Sequence, residues 1–395
     1  MNTAVMKARV TTRGATLTGE RSVNSLLLIA TILLATGLLM MTSASVEIAE
    51  GQYGDPLYFL KRQGIFALLG VLVVILTLNI PMQFWYRASW FLLMASIALL
   101  LLVLVPGIGK IVNGSARWID LGLFNLQPSE LAKVFVVIYL AAFLHRHGVE
   151  VREQWSGFLK PLAVIVAIVV LLEFEPDHGA MVIVTLTCFC MIFLAGAKLI
   201  RFVVVLAMCA VGVVSLAITK PYVLDRFSSF MNPWAAEYVY GDGYQLTQAL
   251  IAFGRGSWFG TGLGNSIQKL YFLPEAHTDF VLAIIAEELG LVGVTLIVAL
   301  FCMLIGGAFA IAMKAHRKGL LFPAYTAYGI ALLFAGQTLI NIGVNTGLLP
   351  TKGLTLPFLS YGGASLIVSC FMVALLVRIQ YEIEQAGQSA ARARR

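Results

Sequence analysis

Long apolar runs recur along the chain and are separated by short polar segments. A membrane-spanning helix needs about 20 mostly apolar residues, because the hydrocarbon core is about 30 Å thick and a helix rises about 1.5 Å per residue. By this rule the pattern predicts about ten spans, and hence an all-α polytopic membrane protein. The run that starts at Phe280 is long enough to begin as an amphipathic segment before it enters the bilayer. The predicted spans are Ser25–Thr42, Leu60–Ile80, Trp85–Val105, Ser129–Leu144, Leu159–Leu172, Gly179–Ala195, Phe202–Thr219, Phe280–Ala312, Pro323–Val344 and Ala364–Arg378.

One interval between spans is much longer than the others. Residues 220–279 separate the seventh and eighth predicted spans, and their aromatic, glycine and charged residues form a pattern that cannot cross hydrocarbon. Long ordered loops in compact proteins are usually functional. We therefore predict a single transmembrane domain over residues 23–378 with one large loop, flanked by tails at residues 1–22 and 379–395.

The composition supports the membrane prediction. Hydrophobic residues make up 59% of the chain and charged residues 12%, whereas soluble domains have about 45–50% apolar and about 25% charged residues. The five cysteines all fall within predicted spans, and their spacing fits neither a zinc site nor a disulfide framework. The polar first 22 residues and the long run after them do not form the pattern of a cleavable signal peptide.

The basic residues are unevenly distributed. Most of the 27 Lys and Arg residues lie in both tails and in alternate short loops, whereas most acidic residues lie in the other loops or within the bundle. Cytoplasmic segments of membrane proteins are enriched in Lys and Arg. Both termini are therefore predicted to be cytoplasmic and the large loop extracytoplasmic. The basic tails are expected to contact anionic lipid headgroups, which argues against a nucleic-acid partner despite the formal net charge of +7.

An ionisable pair is predicted at the outer end of the fourth span. Pro128 and Ser129 are typical of a helix start, with Ser129 as its cap. Glu130 and Lys133 then lie three residues apart on one helix face. Such a pair is expensive at this depth unless it faces a polar cavity. A substrate-facing pair and a purely structural ion pair both remain open.

Further outer segments carry candidate chemistry. In Glu175-Pro-Asp-His-Gly179 the carboxylates would contact substrate or a cation, although Asp177 also suits the cap of the next helix. The Gly-rich stretch Gly260-Thr-Gly-Leu-Gly-Asn265 follows no strand and is predicted to face outward, so we reject a nucleotide-binding motif.

A carboxylate and a cation stand out near the last three spans. Asp279 would lie where an aqueous cavity meets the membrane surface; partial desolvation would raise its pKa and suit it to general-base catalysis. The alternative is a helix cap, for which Thr278 and Asp279 both qualify. Residues 348–363 contain two prolines and a glycine pair, which predicts irregular backbone that lines a cavity or is buried in protein. Lys352 would meet a lipid phosphate there, or reach headgroups as an interfacial lysine.

Several long motifs, in order, resemble the SEDS family (shape, elongation, division and sporulation) of peptidoglycan glycosyltransferases. The resemblance covers essentially the whole chain apart from the tails and is closer to the division branch than to the elongation branch. It implies a ten-helix bundle in which Asp279 is the essential catalytic aspartate. The motifs are Val112–Ile119, Gln127–Lys133, Gly243–Leu250, Pro274–Phe280, Leu349–Pro357 and Ser360–Gly363.

The same resemblance implies a set of substrate-binding residues. Glu130 and Lys133 match a buried ion pair of the family, and Arg117 and Lys352 match basic positions near its cavity. Two positions depart from the family pattern: Glu175-Pro-Asp-His-Gly179 replaces the usual Gln-Pro-Asp-Leu-Gly, and Ala364 replaces a usual Ser. The expected substrate-binding residues are Arg117, Lys352, Lys133, Glu130, Arg226, Arg255, His277 and Ser360.

The implied reaction is the polymerisation of lipid II into β-1,4-linked glycan at the division septum of the inner membrane. No cofactor is expected to be built in, although Mg²⁺ or another divalent cation would suit a pyrophosphate substrate. The expected partners are lipid II, membrane lipids, a class B penicillin-binding protein (an FtsI-type transpeptidase) and division regulators of the FtsQ, FtsL, FtsB and FtsN type. Two alternatives remain: a lipid II flippase, and a non-catalytic scaffold for a penicillin-binding protein. Against the flippase, the chain shows no internal repeat of the kind common in transporters.

Overall fold

The structure is a bundle of long helices with one small sheet. The computed structural model describes residues 3–112, 115–120, 122, 125–207, 230–241, 243–351 and 353–393. Within these residues the elements are α1 (Thr3–Tyr53), α2 (Tyr58–Asn79), α3 (Met82–Val103), β1 (Gly109–Val112), β2 (Ser115–Asp120), β3 (Asn125–Leu126), α4 (Pro128–Glu153), α5 (Trp155–Phe174), α6 (His178–Leu194), α7 (Tyr244–Gly256), α8 (Val281–Arg317), α9 (Leu321–Asn345) and α10 (Gly363–Ala393).

The prediction of an all-α polytopic membrane protein is confirmed. In the described part of the chain, eight helices are long and apolar enough to cross a membrane, and α6 is a shorter apolar helix of 17 residues. Of the seventh predicted span, Phe202–Thr219, residues 208–219 lie outside the described residues. The spans are Ser25–Tyr53, Tyr58–Asn79, Met82–Val103, Pro128–Glu153, Trp155–Phe174, Val281–Arg317, Leu321–Asn345 and Gly363–Gln388.

Three helices form the centre of the bundle. The most apolar window of α10 is 89% buried, that of α9 67% and that of α4 61%, whereas those of the other spans are 22–33% buried. Most apolar side chains of the outer helices therefore face outward. In a bilayer this carries no free-energy penalty, because lipid tails are apolar as well. The helices α10 and α2 pack together, α9 packs on α8, and α4 packs between α3 and α9.

A three-stranded antiparallel sheet lies between α3 and α4, in the order β1-β2-β3. The apolar pattern did not predict it, because strands of four, six and two residues are too short to show a clear alternation. The sheet is at the end of the bundle where α1, α3, α5 and α9 end and α2, α4, α6, α8 and α10 begin. We call this end the cavity end.

The helix α8 is broken near its start. Gly290 has φ +67° within a helix of 37 residues, so the segment after it, about 40 Å long, is alone enough to span the bilayer. The backbone groups freed by the break pair with the loop that follows α7. Thr261 N and Gly262 N donate to Glu287 O and Glu288 O at 2.9 and 3.1 Å. In the other direction Leu291 N and Val292 N donate to Ser257 O and Trp258 O at 2.9 and 3.1 Å.

Residues 346–351 and 353–362 form a second irregular segment, as predicted for residues 348–363. Leu354, Leu356 and Leu359 are buried in the core. The side chain of Asn341 in α9 donates to Leu354 O at 2.7 Å, and Ser360 Oγ accepts a hydrogen bond from Leu356 N at 2.8 Å. The segment is therefore buried in protein, which is the condition under which irregular backbone is tolerated beside a membrane.

Substitution of Gly290 by Ala is expected to destabilise the protein by about 1–3 kcal/mol, because an L residue is strained at this φ. A Cβ there would also lie 2.4 Å from Gly260 N. Gly306→Ala is the matched control in the same helix: its Cβ would meet nothing within 4 Å, and Ala is favoured over Gly in a helix interior by about 0.5–1 kcal/mol. Thermal unfolding in detergent measures both. Equal melting temperatures for the two variants would contradict the role given to Gly290.

Candidate active site

A cavity of about 510 Å³ opens at the cavity end of the bundle. Five parts of the chain line it: the start of α2, the sheet with the residue that precedes α4, the start of α7, the segment before α8, and the irregular segment with the start of α10. Its lining includes two carboxylates and two guanidinium groups. The lining residues are Arg62, Phe66, Ser115, Arg117, Trp118, Asn125, Gln127, Gln245, Glu275, Thr278, Asp279, Gly353, Thr355, Tyr361, Gly362, Gly363 and Ser365.

Asp279 is half-buried at this cavity. Its main-chain oxygen accepts hydrogen bonds from the side-chain amides of Asn341 and Asn345, each at 3.0 Å, so α9 fixes the backbone that carries it. The helix α8 begins after it, with Phe280 as N-cap and no side-chain capping bond. The carboxyl of Asp279 is therefore not a helix cap, which removes the alternative that the sequence left open.

The electrostatic surroundings of Asp279 favour its protonated form. Burial is the largest effect and Glu275 the next, and together they raise the pKa of Asp279 to about 7, with a further increase from Asp177 and an opposing effect of Arg117. A Cβ added at Gly353 would lie 3.1 Å from Asp279 Oδ2, so the irregular segment packs against one side of the carboxyl. A carboxyl with a pKa near neutrality can take and release a proton at the pH of a cell.

Arg117 is held on β2 by main-chain oxygens. Its Nε donates to Glu175 O at 3.2 Å, and its Nη2 donates to Pro176 O. Both acceptors are uncharged, so the guanidinium keeps its positive charge while its direction is fixed. Since Arg117 lines the cavity and acts on the pKa of Asp279, this charge is available to an anionic group in the cavity.

Asp177 organises the turn beside Arg117. It is the N-cap of α6 and accepts from Ala180 N at 3.1 Å, which confirms the capping prediction. Ser129 Oγ donates to Asp177 Oδ2 at 2.7 Å. The prediction that Ser129 caps α4 is therefore wrong: Gln127 is the N-cap there, because the Ser129 hydroxyl finds a charged acceptor across the bundle.

Glu130 and Lys133 form a buried ion pair on α4. Lys133 Nζ lies 2.8 Å from Glu130 Oε1, and the side chains are 2% and 8% exposed for Lys133 and Glu130. Neither residue is among those that line the cavity. Of the two alternatives left open by the sequence, this geometry favours a structural pair within the central helix.

Three other expected substrate-binding residues also lie off the cavity lining. His277 packs between the rings of Phe59 and Tyr361, with centroids 4.7 and 5.8 Å away; burial lowers its pKa. Ser360 is buried and holds the irregular segment through its hydroxyl. Arg255 pairs with the fully buried Glu287 at 2.7 Å. Each of these contacts fixes backbone around the cavity.

Two expected residues, Arg226 and Lys352, lie outside the described residues. Arg62 at the start of α2 was not predicted as a site residue, yet it lines the cavity, and its Nη1 donates to the Tyr58 hydroxyl at 2.9 Å. The basic pair Lys61-Arg62 at the outer end of a predicted span is the signal that could have found it. Glu275, the second carboxylate of the cavity, was not predicted either.

No group of three or more His, Cys, Asp or Glu side chains within the described residues comes together as a set of metal ligands. Glu275 and Asp279 do line the same cavity. Two carboxylates that share a site with substrate phosphates are a usual arrangement for Mg²⁺. The residues present are therefore compatible with a magnesium ion that binds together with a phosphate-bearing substrate.

The comparisons with known proteins agree with this architecture. The family model described as cell cycle protein (FtsW, RodA, SpoVE) matches residues 24–385. A protein of Hahella chejuensis named probable peptidoglycan glycosyltransferase FtsW is 52% identical over 90% of this chain and 89% of its own length. A protein of Pseudomonas fluorescens with the same name is 51% identical over 89% of this chain and 86% of its own length.

Solved structures show the same fold. One, described under structural coordination of polymerization and crosslinking by a peptidoglycan synthase complex, has a TM-score of 0.75 and 27% identity and covers 91% of this chain and 97% of its own. The rod shape determining protein RodA of Thermus thermophilus has a TM-score of 0.66 and 27% identity, over 90% of this chain and 96% of its own. The fold and the site thus define a polytopic membrane protein with an acid–base cavity at one end of its helix bundle. The chain belongs to the FtsW, RodA and SpoVE family of cell cycle proteins.

Replacing Lys133 with Met is expected to destabilise the protein by about 3–5 kcal/mol, because Glu130 would be left as an unpaired buried charge. The double variant Lys133→Met with Glu130→Gln should recover most of this loss, because no buried charge remains. Lys61→Met breaks the exposed Lys61–Asp55 pair, whose side chains are 64% and 35% exposed, and should cost about 1 kcal/mol or less. Thermal unfolding of the purified protein compares them. A double variant no more stable than Lys133→Met would contradict the structural pair.

Proposed function

We propose that this protein is a peptidoglycan glycosyltransferase that polymerises lipid II into β-1,4-linked glycan strands. The single observation that carries the proposal is Asp279: a half-buried carboxyl with a pKa of about 7, free of any capping role, in a cavity that also holds Arg62 and Arg117. A base beside cations suits a reaction in which a hydroxyl loses a proton and a phosphate leaves. The names of the relatives, whose sequences are 52% and 51% identical to this chain, support the same activity.

The proposed reaction joins two lipid-linked sugars. The donor is the growing strand, attached through an α-pyrophosphate to undecaprenol, and the acceptor is the 4-hydroxyl of the GlcNAc of a new lipid II. Asp279 takes the hydroxyl proton as the oxygen forms a bond to the anomeric carbon. The bond from that carbon to the pyrophosphate oxygen breaks, and its electron pair leaves with undecaprenyl pyrophosphate. Attack on the opposite face inverts the carbon and gives the β-linkage, and Asp279 then releases its proton to water.

Cations stabilise the departing pyrophosphate in this mechanism, because negative charge develops on it as the bond breaks. Arg117 and Arg62 line the cavity and are the described residues suited to that task. Lys352 and Arg226 are also expected to bind the pyrophosphate, as predicted from the sequence. A magnesium ion would be held by Glu275 together with the substrate phosphates, where it would add to the stabilisation of negative charge and leave Asp279 free as the base. The steps assigned to this chain's residues do not depend on it.

The other expected residues act on the framework in this proposal. Glu130 and Lys133 hold α4, His277 and Ser360 hold the segments on either side of Asp279, and Arg255 holds the break in α8. Their substitution would displace the cavity walls, and a displacement of about 1 Å can reduce a rate by about 100-fold.

The proposal includes a location and partners. We infer that both termini are cytoplasmic, that the cavity faces the extracytoplasmic side, and that the protein works at the division septum. A transpeptidase of the class B penicillin-binding type is the proposed partner, which the description of the structural neighbour as part of a complex for polymerization and crosslinking supports. Regulators of the FtsQ, FtsL, FtsB and FtsN type are proposed on family resemblance.

Asp279→Asn is expected to reduce lipid II polymerisation by about 100- to 10 000-fold, because the base is lost. The wild-type rate should rise with pH through about 7, since only the ionised carboxyl accepts a proton. The assay is polymerisation of purified lipid II by protein reconstituted with its transpeptidase, read as glycan ladders on a gel. Asp120→Asn, at an exposed carboxylate on β2, is the control and should retain the wild-type rate. Absence of ladders from the wild type, with movement of labelled lipid II across liposomes instead, would replace the polymerase by the flippase.

Arg62→Ala is expected to reduce the turnover number by about 100-fold, because a preorganised donor to the leaving group is removed. Lys61→Ala is the matched control: it removes the same charge from the neighbouring position, whose side chain is 64% exposed and pairs with Asp55. The same assay at saturating lipid II separates turnover from binding. Equal rates for the two variants would exclude Arg62 from the reaction.

A further inference from the structure

Glu175 is an anomaly among the buried polar residues. It follows the last residue of α5, its side chain is 0% exposed, and neither Oε1 nor Oε2 has a hydrogen-bond partner. A buried carboxylate without a partner costs far more than a buried neutral acid, and almost all buried polar groups in native proteins are hydrogen-bonded. The ionised form of Glu175 is therefore strongly disfavoured in this site.

Charged groups lie in the sheet and at the start of α6, beside Glu175. From the sheet, Arg117 donates to its main-chain oxygen. From the start of α6, Asp177 lies two residues on, and His178 pairs with the exposed Glu173 at 3.3 Å. Lys352, in the irregular segment that packs on α6 through Leu354 and Gly179, lies outside the described residues. Burial, then Asp177, raise the pKa of Glu175 to about 8, against the opposing effect of Arg117.

The protonated state of Glu175 has a consequence for Arg117. The guanidinium is anchored by the carbonyl oxygens of Glu175 and Pro176, which fix it without neutralising it. An ionised Glu175 side chain would be a much stronger acceptor than either carbonyl, because charge-assisted hydrogen bonds are about twice as strong as neutral ones. The guanidinium would then turn toward that carboxylate and away from the cavity that it shares with Asp279.

We propose that Glu175 is a positioning residue that works as a neutral carboxylic acid. While protonated it leaves the charge of Arg117 directed into the cavity, and when it ionises it draws Arg117 out of position. A protonated Glu has nearly the shape of Gln, so Glu175→Gln mimics the neutral acid. The effect on Arg117 extends the proposed function and rests on it. The protonation state of Glu175 is independent of the proposed function.

The first test is thermal unfolding of the purified full-length protein in detergent against pH. Glu175→Gln keeps the neutral shape at every pH. The folded-state pKa of Glu175, about 8, is raised above the ordinary value of 4.5, so the contribution of its proton to stability is complete below about pH 4.5 and is lost as pH rises toward 8. The difference in melting temperature, Glu175→Gln minus wild type, should therefore increase from about pH 4.5 to about pH 8 and stay constant above it. Glu173→Gln, at an exposed carboxylate on the same turn, should follow the wild type. A constant difference between Glu175→Gln and the wild type would overturn the proposal.

The second test is the rate of lipid II polymerisation from about pH 6 to about pH 10. The wild type and Glu173→Gln should lose about tenfold in rate for each pH unit above about 8, whereas Glu175→Gln should keep its rate. An alkaline loss of the same size in Glu175→Gln, or a folded Glu175→Gln variant that is inactive at every pH, would overturn the positioning role. If no variant polymerises lipid II, the proposed function fails instead, and the unfolding measurement still decides the protonation state.

Discussion

Irregular backbone beside a membrane must have its hydrogen bonds satisfied within the protein, and the rest of this structure depends on that constraint. The break in α8 at Gly290 leaves donors and acceptors that the loop after α7 satisfies from Ser257 to Gly262. Two ion pairs to the fully buried carboxylates of α8 hold α7 and the loop after it: Arg255 pairs with Glu287 at 2.7 Å, and Lys269 pairs with Glu288 at 2.9 Å. The large loop is therefore attached to the membrane bundle through its main chain, and the Asp279 segment that ends it is held in a fixed position.

The asparagines of α9 extend this framework to the other side of the cavity. Asn341 donates to both Asp279 O and Leu354 O, and Asn345 accepts from Ala283 N at 3.2 Å. One helix turn thus satisfies the backbone on both sides of the carboxyl while leaving its side chain unused. This is how a half-buried acid can remain available for chemistry while the backbone around it is hydrogen-bonded.

The sequence predicted the helical architecture well, because runs of about 20 apolar residues are a strong and local signal. It also predicted the irregular segment at residues 348–363 from its prolines and glycines, and the helix cap at Asp177. Both predictions rest on signals that lie within a few residues of each other. The sheet was missed, although an Asn-Gly pair between β1 and β2 is typical of a hairpin turn. The break in α8 was missed as well, since a single glycine in a long apolar run does not reveal that a distant loop inserts there.

The candidate site was harder to predict, because its geometry depends on contacts between segments far apart in sequence. Family resemblance selected Asp279 and Arg117, which do share a cavity. It could not distinguish residues that line the cavity from those that support it, such as His277 and Lys133, because both kinds are polar residues at the same end of the bundle. Arg62 was missed because basic residues at a helix start are usually interfacial side chains, and only the fold brings Arg62 to the cavity that the sheet also lines.

Two carboxyls near Arg117 differ in solvation, and the difference assigns them different chemistry. Asp279 lines the cavity, so a proton it accepts can reach water, while Glu175 has no exposed surface and does not line the cavity. A group without access to water or substrate cannot exchange protons during a reaction, whatever its pKa. Its protonation state still decides how strongly it attracts the neighbouring guanidinium, since charges interact strongly in a region of low dielectric constant. Arg117 donates to the main-chain oxygen of Glu175 and lowers the pKa of Asp279, so in the proposed mechanism the anchoring of this one guanidinium influences the base.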